Sequence, residues 1–162
     1  FLNHKNMFTI LRIGNVFGFK KYENLREINN NIIHSLCISA LKKNNITIDN
    51  GSVHRTFVPS KIFIQVLNFV IIKKFFKNSI INISYKNLNL RDLAKLIQKR
   101  CKFIFNLNID TVIKKFKEKK KFSISSIQNF KFSPDSKKIY FEIDQILKNM
   151  NKMIKKYRIV RK

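Results

Sequence analysis

A chain of 162 residues is long enough to bury one good core and too short for two full domains. Its 34 Lys and Arg against 9 Asp and Glu, a formal +25, taken alone are the footprint of a nucleic-acid or anionic-membrane binder. Yet Lys (27), Ile (26), Asn (20) and Phe (16) are all abundant while Ala (2), Gly (3), Pro (2) and Trp (0) are scarce. Binding a polyanion requires cations but gives no reason to avoid alanine or accumulate asparagine, whereas drift in an A+T-rich genome accounts for all of these biases together.

Cys37 and Cys101 have no Cys-x-x-Cys spacing and no paired histidine, so neither a zinc motif nor a disulfide framework is indicated. Both are expected as buried thiols in a reducing, cytoplasmic compartment. The sequence opens on Phe1 without the apolar run of a secretory signal, and a natural start upstream of Phe1 is expected.

In chain order, "MFTILRI" (7–13) reads as a buried strand that ends in a turn at Gly14-Asn15. A polar stretch, 18–27, reads as a loop. Ile28, Ile32, Ile33, Leu36, Ala40 and Leu41 recur at helical spacing, and "KKNN" marks the end of that helix, with cations where its dipole favours them. "ITIDNGSVHRTFV" (46–58) reads as a hairpin of two β-prone runs joined by Asn50-Gly51.

Pro59 then opens a helix through "SKIFIQVLNFVIIKKFF". Within it, the apolar run 62–72 is interrupted by Gln65 and Asn68 and falls short of the roughly 20 residues of a membrane span, so it reads as a helix buried on most sides. "SIINIS" (79–84) reads as a strand. Asn89 is placed to cap a third helix, with Asp92 three residues on and Leu90, Leu93, Ala94, Ile97 and Cys101 as its apolar stripe. "FIFN" from 103 reads as a strand and "VIKKFKEKKKF" (112–122) as a solvated helix or loop. A last helix carries Ile143, Ile146, Leu147, Met150 and Ile154 on one face. The alternation of strands and helices indicates a mixed α/β or α+β architecture.

No self-contained active site is legible. His4, His34 and His54 have no metal-ligand spacing and read as surface or loop histidines, no carboxylate pair stands out, and G-x-G-x-x-G, the P-loop and G-x-S-x-G are all absent. On these grounds the chain reads as a binding or substrate-shaping domain.

Four segments, in order, carry a resemblance to one family. "LRIGNVFG" (11–18) resembles the LR-x-x-N-V-Y-G run of extended short-chain dehydrogenase/reductases, the NAD-dependent epimerase/dehydratase family that acts on nucleotide sugars. "ITIDNGSVHRTFVPSKIFIQVLNFVI" (46–71) resembles its R-d-F hairpin and following helix. "NISYKNLNLRDLAKLI" (82–97) resembles its N-i-g strand and helix, and "PDSKKIYFEIDQILKNMNKMI" (134–154) its D-x-x-K segment and final helix. The resemblance covers most of residues 8–157.

It implies an α/β chain that is the C-terminal part of a Rossmann-type enzyme: residues 1–18 a remnant of the Rossmann sheet, and 19–162 mainly a small α+β substrate-binding portion, with strand 79–84 available to return to that sheet. By the same resemblance, Asn15 binds nucleotide-sugar phosphates, Arg55 clamps the diphosphate, Asn31 lies beside it at a helix start, and Gly14 leaves room for the cofactor. The alternatives read from the residues alone stay open: a turn asparagine for Asn15, an exposed hairpin charge for Arg55, and compositional drift for Asn29 to Asn31.

The implied cofactor is NAD or NADP, bound mainly outside this chain, and the implied partner is a nucleoside-diphosphate sugar, with a homodimer for the intact enzyme and a place in surface-polysaccharide synthesis. The family's catalytic Tyr-x-x-x-Lys is absent: Tyr22, Tyr85, Tyr140 and Tyr157 are followed four residues on by Arg26, Asn89, Asp144 and Arg161. Phe19 stands in place of a family proline, and Thr56 and Ile62 in place of family aspartates. The other class of function open to this composition is a small basic nucleic-acid-binding protein, with Phe and Lys interleaved for stacking and phosphate contact.

An apolar strand at 7–13 without its neighbours is an exposed edge. The isolated 162-residue chain is therefore expected to aggregate; one sharp cooperative transition in scanning calorimetry would contradict this.

Overall fold

A computed structural model describes residues 9–18, 31–72, 79–114 and 135–159. The expected loop at 18–27, apart from Gly18, and most of the charge-dense segment 112–122 lie outside these residues, as do 7–8 and 28–30. The first strand, β1 (Thr9–Ile13), is followed after one residue by β2 (Asn15–Phe17). Then come α1 (Ile32–Lys43), β3 (Asn45–Ile48), β4 (His54–Pro59) and α2 (Ser60–Ile72). The chain continues through β5 (Ser79–Ile83), β6 (Lys86–Asn89), α3 (Leu90–Phe105), β7 (Asp110–Ile113) and α4 (Ser136–Ile159).

The strands form three small sheets. β1 pairs in parallel with β5, β3 in parallel with β7, and β4 lies between β2, parallel to it, and β6, antiparallel. The expected turn at Gly14-Asn15 is not there. Gly14 N donates to Ile83 O at 3.2 Å, extending the β1–β5 ladder, and the next residue, Asn15, is already in register with Phe57 of β4. The strand changes sheets and never reverses. No glycine has a positive φ; Gly14 is needed for space, because a β-carbon there would lie 2.8 Å from Thr56 O and from Thr56 Cγ2.

The expected hairpin is also corrected, since β3 and β4 pair with different strands. The Asn50 side chain accepts from Ser52 N at 3.0 Å and Ser52 Oγ at 2.7 Å, a local side-chain turn that does not need the positive φ of a two-residue hairpin. Gly51 is buried, and a β-carbon on it would stand 2.9 Å from Ile113 Cγ2. It is a crossing point beneath β7, and its carbonyl accepts from Arg91 N at 3.1 Å.

Helical periodicity locates α1, α3 and α4. The α3 stripe of Leu90, Leu93, Ala94, Ile97 and Cys101 is buried in full, and Asn89 caps it by accepting from Asp92 N at 2.7 Å. The expected strand at 103 is instead the last turn of α3, closed by Asn106 in the left-handed region at φ 55°. Asn44 closes α1 in the same way at φ 51°. β6 and β7 were not legible as strands. The buried α4 residues include all five expected ones, and Tyr85 holds its start by donating to Asp135 O (3.1 Å) and accepting from Asp135 N (2.8 Å). Arg100 of α3 grips Asp144 of α4 through two parallel hydrogen bonds, at 2.7 and 2.5 Å.

α2 departs from the reading of a helix buried on most sides. Ile62, Val66 and Val70 alone are buried, while Ile71 is 62% and Ile72 74% exposed. Among the described residues no helix is long and apolar enough to cross a membrane.

Cys37 and Cys101 are free and buried in the core. Burial pushes the Cys101 thiol up to about 11 and raises Cys37 well above its ordinary value, with the neighbouring Cys101 adding to the effect. In native protein at pH 8 neither cysteine is expected to be alkylated by iodoacetamide over an hour, and both should label once guanidinium unfolds the chain, as read by peptide mass mapping. Native labelling of either one would contradict the packing of α1 on α3.

Candidate functional site

In a strand, alternate side chains share a face, and parallel register partners face the same way. On β2 and β4 one face therefore carries Asn15 and Phe17 beside Arg55, Phe57 and Pro59. Phe17 and Phe57 are buried and meet edge to face at 6.2 Å between ring centroids. Asn15 and Arg55 lie at the end where this face leaves the core. Arg55 is two residues before Asn15's register partner, about 7 Å along β4 by strand rise.

Asn15 Nδ2 donates to Thr56 O at 3.1 Å, which fixes the carboxamide and leaves its second Nδ2 hydrogen and Oδ1 unengaged among the described residues. Arg55 is exposed and makes no ion pair or hydrogen bond among the described residues. Its guanidinium is thus available to an anion. Asn15 sits just past the carboxyl ends of the parallel strands β1 and β5, where α/β sheets gather ligands, and Arg55 lies two residues back along β4.

Asn31 caps α1 as its position suggests. Oδ1 accepts from Ile33 N at 3.0 Å and Nδ2 donates to Val16 O at 2.7 Å, so only one Nδ2 hydrogen remains for anything else. Three residues on, His34 Nε2 stands 3.3 Å from Gly18 O. Carbonyls two residues apart on a strand point the same way, so Asn31 and His34 together cover the outer edge of β2 as a neighbouring strand would.

His34 is not the surface or loop histidine expected: it is buried in α1, and burial lowers its pKa, with the hydrogen bond to Gly18 working the other way. The signal was present, since His34 lies three residues before the buried Cys37 and seven before Leu41, on the apolar stripe. His54 is exposed, and His4 lies outside the described residues.

Gly18 is the second close approach. A β-carbon there would collide with the Ser60 hydroxyl at the start of α2 and lie 3.2 Å from Oε2 of the buried Glu142. Glu142 had no signal beyond helical spacing. Thr56 donates to Asn87 Oδ1 at 2.5 Å on the opposite face from Arg55, and Ile62 is a core residue. Among the described residues no group of three or more His, Cys, Asp or Glu could hold a metal.

The arrangement is α/β, with two parallel strand pairs and one mixed sheet, and shares its fold with part of several solved nucleotide-sugar enzymes. Three solved structures illustrate the likeness. The GDP-L-fucose synthetase of Naegleria fowleri has a TM-score of 0.64 at 15% identity, over 91% of this chain and 47% of that one. A variant UDP-glucuronic acid 4-epimerase of Bacillus cereus, in complex with UDP-4-deoxy-4-fluoro-glucuronic acid and NAD, has a TM-score of 0.63 at 17% identity, over 93% and 48%. The UDP-N-acetylglucosamine 4-epimerase of Methanobrevibacter ruminantium M1, in complex with UDP-N-acetylmuramic acid, has a TM-score of 0.55 at 22% identity, over 86% and 44%. The chain thus spans less than half the length of these structures. No family model matches the sequence, and no curated protein matches it.

Because His34 is held neutral in the fold and its pKa lies below the ordinary 6.5, the unfolded chain takes up the proton first. The stability this contributes is complete above pH 6.5 and is lost as pH falls through and below that value. Unfolding of intact protein measured at pH 7.5 and pH 5.5 should show a larger acid loss in wild type than in His34→Gln, whose amide can still donate to Gly18 O. Equal losses would mean that His34 does not titrate in this window.

Proposed function

We propose that this chain is the C-terminal, substrate-binding portion of a larger NAD(P)-dependent enzyme that epimerises, dehydrates or reduces the sugar of a nucleoside-diphosphate sugar. The observation that carries this reading is Asn15 on the same sheet face as an Arg55 that has no partner among the described residues, at the ends of β1 and β5. Arg55 offers a planar, bidentate cation and Asn15 a fixed amide donor, which together suit the two phosphates of a diphosphate. Asn31 would add its remaining hydrogen from the start of α1, where the helix N-terminus favours negative charge. Surface-polysaccharide synthesis is the proposed setting, and the intact enzyme would be a homodimer.

Among the described residues there is no dinucleotide cradle. There is no G-x-G-x-x-G, and the missing side chain of Gly14 is taken up by Thr56, which leaves it no evident space to offer a cofactor. When bound by the rest of the enzyme, a nicotinamide would supply hydride transfer. This chain's part is to hold the diphosphate so that the sugar is presented in one orientation. No proton step is assigned to it, since Tyr-x-x-x-Lys is absent.

The exposed Ile10 and Ile80 agree with a further layer packed on this sheet in the intact protein. They are register partners on one face of a two-stranded parallel pair, a kind of sheet that is ordinarily covered on both faces. In the intact protein, Arg55→Ala is expected to weaken UDP- or dTDP-sugar binding about 10- to 100-fold and Asn15→Ala about tenfold, by titration calorimetry, with circular dichroism unchanged. Steeply salt-dependent binding of generic DNA or RNA, with no affinity for nucleoside-diphosphate sugars, would overturn the reading in favour of a nucleic-acid binder.

A further inference from the structure

We propose that the groove between β6, α3 and the start of α4 is a second anion site, distinct from Asn15 and Arg55, and that it takes a nucleoside monophosphate. Asp92, Lys95, Leu96 and Lys99 recur at helical spacing on the face of α3 turned away from its buried stripe, and they line one wall. Lys86 of β6 stands across from them, half-buried, and donates to Ser136 Oγ at 2.9 Å. The groove is an open cleft of about 260 Å³, slightly under the roughly 300 Å³ at which small-molecule clefts begin, which suits one nucleotide unit better than a whole nucleotide sugar.

Two properties select the ligand. The first is charge: three lysines face one carboxylate. Lys95 and Lys99, four apart on one helix, repel each other at some cost to α3, and none of the three lysines has an ion-pair partner among the described residues. An anion seated between them removes that repulsion. The second is the surface beneath the charges, where Leu88, Leu96 and Ile139 form an apolar floor beside the ring of Tyr140. That ring has Arg100 5.7 Å from its centroid, and Arg100 is itself held by Asp144. Inorganic phosphate would satisfy the lysines and leave the floor wet. A nucleoside monophosphate meets both requirements, its phosphate on the lysines and its base on the Tyr140 ring, with Asp92 able to accept a hydrogen bond from a sugar hydroxyl.

The site neighbours the diphosphate pair without sharing residues with it. Leu88 is the register partner of Arg55, so the groove opens one strand away on the same face. Its existence therefore does not depend on the function proposed above.

Titration calorimetry of the intact protein with uridine monophosphate, uridine and inorganic phosphate tests the proposal on wild type, Arg55→Ala, Tyr140→Ala and the double variant Lys95→Glu/Lys99→Glu. Both lysines are exposed, so charge reversal leaves the core intact, with circular dichroism as the check. Uridine monophosphate is expected to occupy a site that Arg55→Ala retains and that the double lysine variant weakens at least about tenfold. Tyr140→Ala should weaken uridine monophosphate several-fold and leave phosphate unaffected. An isotherm unchanged in the double variant, no uridine monophosphate site surviving Arg55→Ala, or inorganic phosphate binding as tightly as the nucleotide would each overturn it.

Discussion

The arrangement depends on how closely two stretches of backbone pass at Gly14. One continuous run, from Thr9 to Phe17, serves as a strand in two sheets, and it switches between them in a single residue. That is possible only if β4 comes alongside at once. Gly14 allows it, because any β-carbon would press on Thr56 O, a backbone atom that cannot turn aside. From this approach follow the register of Asn15 with Phe57, the buried meeting of Phe17 with Phe57, and the placing of Arg55 beside Asn15. The candidate site is a consequence of where a strand leaves its sheet.

A strand that enters a sheet so abruptly leaves an edge, and α1 covers it with side chains in place of another strand. Asn31 and His34 donate to the carbonyls of Val16 and Gly18, and Asn31 at the same time caps its own helix. This doubles the work asked of Asn31. Whatever it contributes to an anion comes from the one hydrogen left over, so Asn15 and Arg55 carry more of the reading than it does.

Much of this was legible wherever a periodic apolar pattern faced one core. α1, α3 and α4, the strands at 9–13 and 79–83, and the Asn89 cap follow from spacing and capping chemistry alone. The misreadings share a cause: short apolar runs near strong local signals. Asn50-Gly51 between two β-prone runs has the sequence of a hairpin, but strand pairing is decided by distant partners, β7 for one run and β2 and β6 for the other. Phe103 to Phe105 has β-prone composition, yet it continues a helix whose buried stripe began at Leu90. Asn15 and Arg55 are candidates through a family resemblance and not from their own surroundings, since neither a lone asparagine after a strand nor a lone arginine has a distinctive pattern. The groove at Lys86, Lys95 and Lys99 could not be read at all, because in a lysine-rich chain three more lysines carry no signal until the fold brings them together.

The composition also explains an unusual division of labour. Positive φ is normally the province of glycine, but here both left-handed positions among the described residues, Asn44 and Asn106, are asparagine helix ends. Asparagine tolerates that conformation better than other side chains, and a chain rich in it can spend it so. The three glycines stand where a β-carbon would press on a neighbour: on Thr56 at Gly14, on Ser60 at Gly18, and on Ile113 at Gly51. A glycine whose β-carbon would press on a neighbour has no ready substitute, whereas one needed only for φ can be replaced by asparagine. The three glycines therefore mark close crossings in the fold, and two of them, Gly14 and Gly18, bracket the strand that presents Asn15.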